Sequence, residues 1–280
     1  MGIVNVTPDS FSGDGVVPAA GDGDWVARAV ALGQAQVRAG AQLIDVGGES
    51  TRPGSLPVAQ DEELRRVLPV VTGLAQSVSV PISIDTYKAE VARQSLSAGA
   101  SLVNDVWGLR MDANMAAVAA GAGAPVILMH NRSRPKDAAQ SAQLGGRYVG
   151  VEYADLLGDI AAELLASVDL AHQAGITDEH IILDPGIGFG KTVEQNLELI
   201  DRLAELKPLG YPLLVGPSRK SFVGYTLNLP PAERIEGTAA AVALAIDRGA
   251  DIVRVHDVEA IVRVAKIADA IVRRRPAPRQ

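Results

Sequence analysis

Three planar polar groups stand at the ends of apolar runs in this chain. Asp85 closes PISID (81–85), Asn104 lies in LVNDV (102–106) and Asp184 lies in IILDP (181–185). Carboxylates accept hydrogen bonds, and a carboxamide both donates and accepts. A flat heterocycle carrying ring N–H and amino groups needs partners of that kind. Arg52, Lys220, Arg254 and His256 are cationic or can become so. In a chain of net charge −7 such a cluster implies an anionic ligand, a carboxylate or a phosphate. These residue types point to a site that holds a polar heterocycle and an anion together.

Something must bring these groups to one place. Along the chain a short β-branched run ends in polar residues and a helical stretch follows. The strand candidates are GIVNV (2–6), QLIDVG (42–47), PISID (81–85), LVNDV (102–106), VILMH (126–130), IILDP (181–185), PLLVGPS (212–218) and DIVRVH (251–256). Each reads as continuously apolar, as parallel strands covered on both faces do. Leu64, Val67, Leu68, Val71, Leu74 and Ala75 recur at helical spacing, with Pro69 expected to kink that helix. Ile261, Val264, Ala265, Ala268, Ile271 and Val272 do the same near the end. Ala39-Gly40, Ala98-Gly99, Ala174-Gly175 and Arg248-Gly249 each stand where a helix should stop, glycine supplying the left-handed cap.

Eight β-α units in about 250 residues predict an α/β fold, a single-domain (β/α)₈ TIM barrel. The alternative is a doubly wound open sheet. As a dinucleotide binder it needs a glycine fingerprint after the first strand, where this chain has NVTPDSF. The barrel spans 1–272, and 273–280 reads as a basic, disordered tail. Barrel chemistry sits at the C-terminal strand ends. Those ends carry Asn5, Asp45, Asp85, Asn104 with Asp105, His130, Asp184, Ser218 with Arg219 and Lys220, and Arg254 with His256.

Several function classes drop out. The acidic balance argues against a nucleic-acid partner. The longest near-apolar run, 115–129, is short and broken by Gly121, Gly123 and Pro125, so no membrane span is expected. There is no cysteine, which removes disulfides and thiolate chemistry and fits a cytoplasmic location. GIGFGKT (186–192) imitates a phosphate-binding loop, but Pro185 and Lys191 occupy positions that must be glycine in the two candidate motifs. Its glycines read as allowing close backbone approach. His172 and His180 read as surface residues, and Ser218 lacks a nucleophile elbow.

NVTPDSF (5–11), DVGGESTRPG (45–54), SIDT (83–86), NDV (104–106), LMH (128–130), DPGIGFGKT (184–192), GPSRKSF (216–222) and RVHDV (254–258) occur in that order. Together they closely resemble the dihydropteroate synthase family, over nearly the whole chain. The resemblance implies a (β/α)₈ homodimer that joins 6-hydroxymethyl-7,8-dihydropterin diphosphate to p-aminobenzoate, releasing diphosphate with the help of Mg²⁺. It implies that Asp85, Asn104, Asp184 and Lys220 grip the pterin. Asn5 would bind Mg²⁺, with Arg254 and His256 on the diphosphate. Thr51, Arg52, Pro53, Phe189, Lys220 and Ser221 would form the p-aminobenzoate pocket, closed by Phe11. Asp85, Lys220, Arg254 and His256 would carry the catalysis. In DVGGESTRPG the two glycines are expected to let the strand end turn away sharply. Sulfonamides mimic p-aminobenzoate, so inhibition is expected.

The chain departs from the family's usual pattern in two places. It opens directly on the first strand, where members usually carry a short preceding segment. Its first loop reads SFSGDG where SFSDGG is common. Two other readings share the pterin acids. A methyltetrahydrofolate–corrinoid methyltransferase would not need the STRPG and SRKS pairing. A non-enzymatic pterin binder should lack some of Thr51, Arg52, Lys220, Arg254 or His256, and all five are present.

Overall fold

The computed structural model describes residues 1–7, 24–51, 55–134, 137–149 and 151–273. All eight apolar runs form strands: β1 (Gly2–Asn5), β2 (Ile44–Gly47), β3 (Ile82–Asp85), β4 (Leu102–Asp105), β5 (Val126–Met129), β8 (Ile181–Asp184), β9 (Leu214–Val215) and β10 (Ile252–Val253). Between β5 and β8 lies a small antiparallel hairpin, β6 (Ala138–Ser141) and β7 (Gly145–Tyr148). The large sheet runs β1-β2-β3-β4-β5-β8, and β9 pairs with β10. Two further parallel bridges, Leu183 to Leu213 and Gly2 to Val255, join these pieces. Backbone bonds carry them: Leu183 N–H donates to Pro212 at 3.0 Å, and Val255 N–H donates to Met1 at 2.9 Å. The eight parallel strands thus close into a ring with no open edge.

The helices are α1 (Trp25–Arg38), α2 (Gln60–Ala75), α3 (Ala89–Ser97), α4 (Met115–Gly121), α5 (Leu156–Gln173), α6 (Val193–Asp201), α7 (Ser221–Leu227), α8 (Ile235–Asp247) and α9 (Val258–Val272). They follow the strands in turn, which is the (β/α)₈ order. Gly40, Gly99, Gly175 and Gly249 hold φ between +91° and +113°, as four helix ends required.

Two hydrophobic clusters divide the core. The larger lies between strands and helices and includes Ile44, Leu74, Ile84, Leu128, Leu164 and Leu183. The smaller gathers Leu102, Ile127 and Leu214 with Leu43, Ile182 and Ile252. Side chains two apart on a strand share a face. Leu43 therefore precedes Asp45 on one face, Leu102 precedes Asn104, Ile182 precedes Asp184 and Ile252 precedes Arg254. The small cluster plugs the barrel directly beneath the polar residues. Truncating Ile127 there to alanine removes packing worth about 2–5 kcal/mol.

Four details differ from the sequence reading. The hairpin was not expected, since its residues are small or polar. In α2 the buried face is Glu63, Val67, Val70, Val71 and Leu74, while Ala75 is exposed. The last turn of α9 is not core: Ile271 is 70% exposed. Arg273, assigned to the tail, donates to Ala250 O at 2.9 Å and pairs with Asp269 at 3.2 Å. Residues 274–280 lie outside the described part. No helix among the described residues is long and apolar enough to cross a membrane.

Candidate active site

At the C-terminal mouth one guanidinium ties three strands together. Arg254, just after β10, donates from Nε to Asp45 Oδ2 at 2.6 Å and from Nη2 to Asp85 Oδ2 at 2.8 Å. Asn104 Nδ2 donates to the same Asp45 oxygen at 3.1 Å. Parallel register sets this up, since Gly47 stands beside Asp85 and Asp85 beside Asn104. Asp45 is fully buried, and among the described residues its Oδ1 has no hydrogen-bond partner. Burial opposes the charge of Arg254, but Asp45 and Asp85 outweigh it and raise its pKa. Burial, reinforced by Asp45, pushes the carboxyl of Asp85 upward. Asp184 is also buried and raised by burial, against the pull of Lys220 and of the Gly186 N–H, which donates to Oδ1 at 2.7 Å. The N–H groups of Arg254 Nη1 make no hydrogen bond to any described residue, which leaves them as donors to spare.

The other wall is built from loops. Lys220, preceding α7, donates from Nζ to Ile187 O and lies 4.3 Å from the centre of the Phe189 ring. Burial pushes this lysine down to about 7, Arg254 adds to the effect, and Asp184 opposes it. Gly188 has φ +82°, and a Cβ there would stand 2.6 Å from Lys220 Cδ. Gly186 has φ +71°, and a Cβ there would stand 1.9 Å from His130 O. These glycines serve close approach, as the sequence suggested. Ser218 Oγ and His256 Nδ1 are 3.0 Å apart, and the His256 N–H donates to the same Oγ at 3.2 Å.

Not every strand-end residue faces this mouth. Asp105 instead accepts the N–H groups of Trp107 and Leu109 at 2.8 Å each, bracing the turn after β4. Burial raises it to about 6. The His130 ring instead meets Lys191, with Nδ1 2.9 Å from Nζ. Asn5 ends β1 in register with Gly47. Thr51 is half-buried beside the second loop, and Ser221 opens α7 after Lys220. Phe11, Arg52 and Pro53 lie outside the described residues.

The structure also adds residues that the sequence reading passed over. Lys88 Nζ bonds both Glu49 and the buried Glu63, while Tyr87 OH donates to Glu49 Oε1 at 2.8 Å. Arg66 Nη1 donates to Gly48 O at 2.9 Å. These contacts anchor the start of the second loop to α2 and β3. Here the expectation for the paired glycines needs correction. Neither Gly47 nor Gly48 has positive φ. Their role is space: a Cβ on Gly48 would stand 2.7 Å from Val67 Cγ1. Nothing in helical periodicity marks an acid such as Glu63 as buried.

The pterin binding enzyme family profile matches residues 1–256. A dihydropteroate synthase from Bacillus subtilis is 48% identical over 271 residues, covering 97% of this chain and 87% of the relative. The chain belongs to the dihydropteroate synthase family. Among solved structures, the dihydropteroate synthase of Clostridium difficile in the presence of pteroic acid superposes with a TM-score of 0.86 at 48% identity. That match covers 97% of this chain and 95% of the other. The Yersinia pestis dihydropteroate synthase in complex with a sulfonamide drug gives a TM-score of 0.87 at 42% identity, covering 96% and 92%. As a dihydropteroate synthase family member the chain is an enzyme, a transferase, on a (β/α)₈ barrel.

Proposed function

We propose that the mouth around Arg254 holds 6-hydroxymethyl-7,8-dihydropterin diphosphate and p-aminobenzoate and joins them into 7,8-dihydropteroate. The observation that carries this reading is the buried set Asp45, Asp85, Asn104 and Arg254, with Asp184 and Lys220 opposite. Such a set offers acceptors and donors in the plane of a flat ring and an unspent cationic edge beside it. Asp85, Asn104, Asp184 and Lys220 bind the pterin, while Arg254 and His256 face the diphosphate. Thr51, Phe189, Lys220 and Ser221 line the arylamine side, with Phe11, Arg52 and Pro53 completing it.

The chemistry follows from the charges. The carbon–oxygen bond to diphosphate breaks, and its electron pair leaves with the diphosphate. The methylene carbon left behind carries positive charge delocalised into the dihydropterin. Three carboxylates, Asp45, Asp85 and Asp184, face two cations, Arg254 and Lys220. When all are ionised that balance favours positive charge on the ligand. The arylamine nitrogen then forms the new carbon–nitrogen bond and gives up a proton. No protein nucleophile is consumed, consistent with a chain that has no cysteine.

Among the described residues no three acids, histidines or cysteines stand together as a metal cage. A Mg²⁺ held by the protein alone does not fit that donor set. A Mg²⁺ that arrives on the diphosphate does, because this ion needs few protein ligands beside substrate phosphates. Asn5 would be its protein ligand, and the ion would neutralise leaving-group charge. A homodimer belongs to the same reading: Leu197, Leu227 and Leu244 are exposed on α6, α7 and α8, three helices that pack on one another, and apolar exposure of this kind would suit a second copy.

The test is diphosphate release by purified protein given the pterin diphosphate and Mg²⁺, with and without p-aminobenzoate. Release coupled to dihydropteroate, and blocked by a sulfonamide, is the expected result. Pterin binding without any release would overturn the reading in favour of a binding protein.

A further inference from the structure

Lys191 is the largest fully buried side chain among the described residues. Placing a lysine amine in the interior is costly unless every bond it can make is made. Here its Nζ lies 3.0 Å from Gly186 O, 3.1 Å from Phe189 O and 2.9 Å from His130 Nδ1. An ammonium donates to all three. A neutral amine donates to the two carbonyls and accepts from the imidazole. Either state satisfies the nitrogen and fixes the same geometry.

The two carbonyls bracket the segment that meets Lys220. Ile187 O accepts from Lys220 Nζ, and the Phe189 ring covers it. Other contacts hold the loop from outside: Gly188 N–H donates to Asn196 Oδ1 at 2.6 Å, and Tyr153 OH donates to Gly190 O at 2.9 Å. Lys191 reaches the same loop from within. Asp184 is tied to this brace at one remove, because the Gly186 N–H donates to its Oδ1 at 2.7 Å and the His130 N–H to its backbone oxygen at 2.9 Å, but β8 is also held by its register with β5.

We propose that Lys191, braced by His130, is a positioning residue for the arylamine subsite. It holds the 186–189 backbone so that Ile187 O and the Phe189 ring shape one side of Lys220. The proposal rests on the functional reading above. It predicts unequal effects on the two substrates: the pterin meets this loop only through Lys220 and Asp184 and keeps Asp45, Asp85, Asn104 and Arg254, to which Lys191 makes no hydrogen bond, whereas the arylamine side is built on Phe189 and Lys220.

Lys191→Met is compared with wild type and with Leu206→Ala, a core truncation in the segment after α6 that serves as a stability control. Below the unfolding temperature of all three, Lys191→Met should raise KM for p-aminobenzoate about tenfold or more, with a several-fold smaller loss of pterin diphosphate affinity, passed on through Lys220 and Asp184. Leu206→Ala should change neither. Equal effects on both substrates, or a profile matching Leu206→Ala, would overturn the proposal. If Lys191→Met does not fold, His130→Gln is read in the same way. A KM for p-aminobenzoate raised about threefold, with a smaller change in pterin affinity, supports the brace, and an unchanged KM overturns it. The functional reading is tested separately by wild-type turnover. Should the wild type bind pterin without turnover, calorimetric affinity for p-aminobenzoate replaces KM in the same comparison.

Discussion

The two walls of the mouth are built by different physics. On the Arg254 side, Asp45, Asp85 and Asn104 lie on strands, and parallel register fixes their spacing, as it does that of Asp184 across the mouth. On the Lys220 side, the partners are a carbonyl and a ring on a loop, and a buried lysine sets their position. A wall of strand side chains is rigid because the whole sheet must deform to move it. A wall of loop backbone is only as firm as its few long-range bonds. One wall is thereby suited to holding a ring in place and the other to admitting a second substrate.

The contrast can be broken most severely at Arg254. Arg254→Met leaves Asp45 and Asp85 buried without their cation, and losing one partner of a buried pair costs about 3–5 kcal/mol. Urea unfolding should show that loss at neutral pH, and turnover should fall below a hundredth of wild type. Partial recovery at lower pH is expected, because Asp85 already has a raised pKa and can take up a proton. A variant as stable as wild type at pH 7 would show that the guanidinium is not the tie we describe.

Asp184→Ala comes next. It removes a charged partner worth about 1.5–3 kcal/mol, or roughly ten- to a hundredfold in pterin affinity. Calorimetry with the pterin substrate checks this, and unchanged affinity removes Asp184 from the pterin wall.

The loop wall is sharpened by pH. The folded pKa of Lys220 is about 7, against the ordinary 10.5. Between those values the unfolded chain binds more protons, so this lysine makes stability rise with pH across that window. Its cost is complete below pH 7 and gone above about 10.5. Lys220→Met should therefore gain stability relative to wild type most at pH 7 and below, and the difference should shrink as pH climbs toward 10.5. Denaturation midpoints across that range decide it, and a constant difference would mean that the lysine is not held near 7.

The smallest effect is expected at the foot of the loop wall. Thr192 caps α6, with Oγ1 accepting from Gln195 N–H at 3.3 Å and Gln195 Oε1 accepting from Thr192 N–H at 2.9 Å. Thr192→Ala should cost about 1 kcal/mol of stability. Pterin affinity should not move, since the strand wall is independent of that cap. A change in both would tie the two walls more closely than described.

The Arg254 side was legible in the sequence because strands announce themselves by apolar runs and expose chemistry at fixed ends. Asp85, Asn104 and Asp184 could be picked out by that rule alone. Asp105 and His130 obeyed the same rule and yet face elsewhere, because the residue that ends a strand can turn toward a neighbouring loop. Lys191 read only as a failed glycine position, and nothing local singled out Glu63. Their burial depends on partners far away in the chain, such as His130 for one and Lys88 for the other.

The sequence by itself determined the eight strands, their parallel direction, the helices between them and the polar groups at the mouth. These follow from periodicity, glycine caps and composition, which act over a few residues. Only the tertiary structure decided which polar groups converge. Ring closure through Gly2 and Val255 brings Arg254 against Asp45, 209 residues apart. The 138–148 hairpin is likewise a tertiary product. Arg234 Nη2 donates to Leu144 O at 2.9 Å, and Arg147 stacks 4.3 Å over the Tyr225 ring. Local propensity is a short-range preference, whereas pairing a buried charge requires the far side of the barrel to be in place.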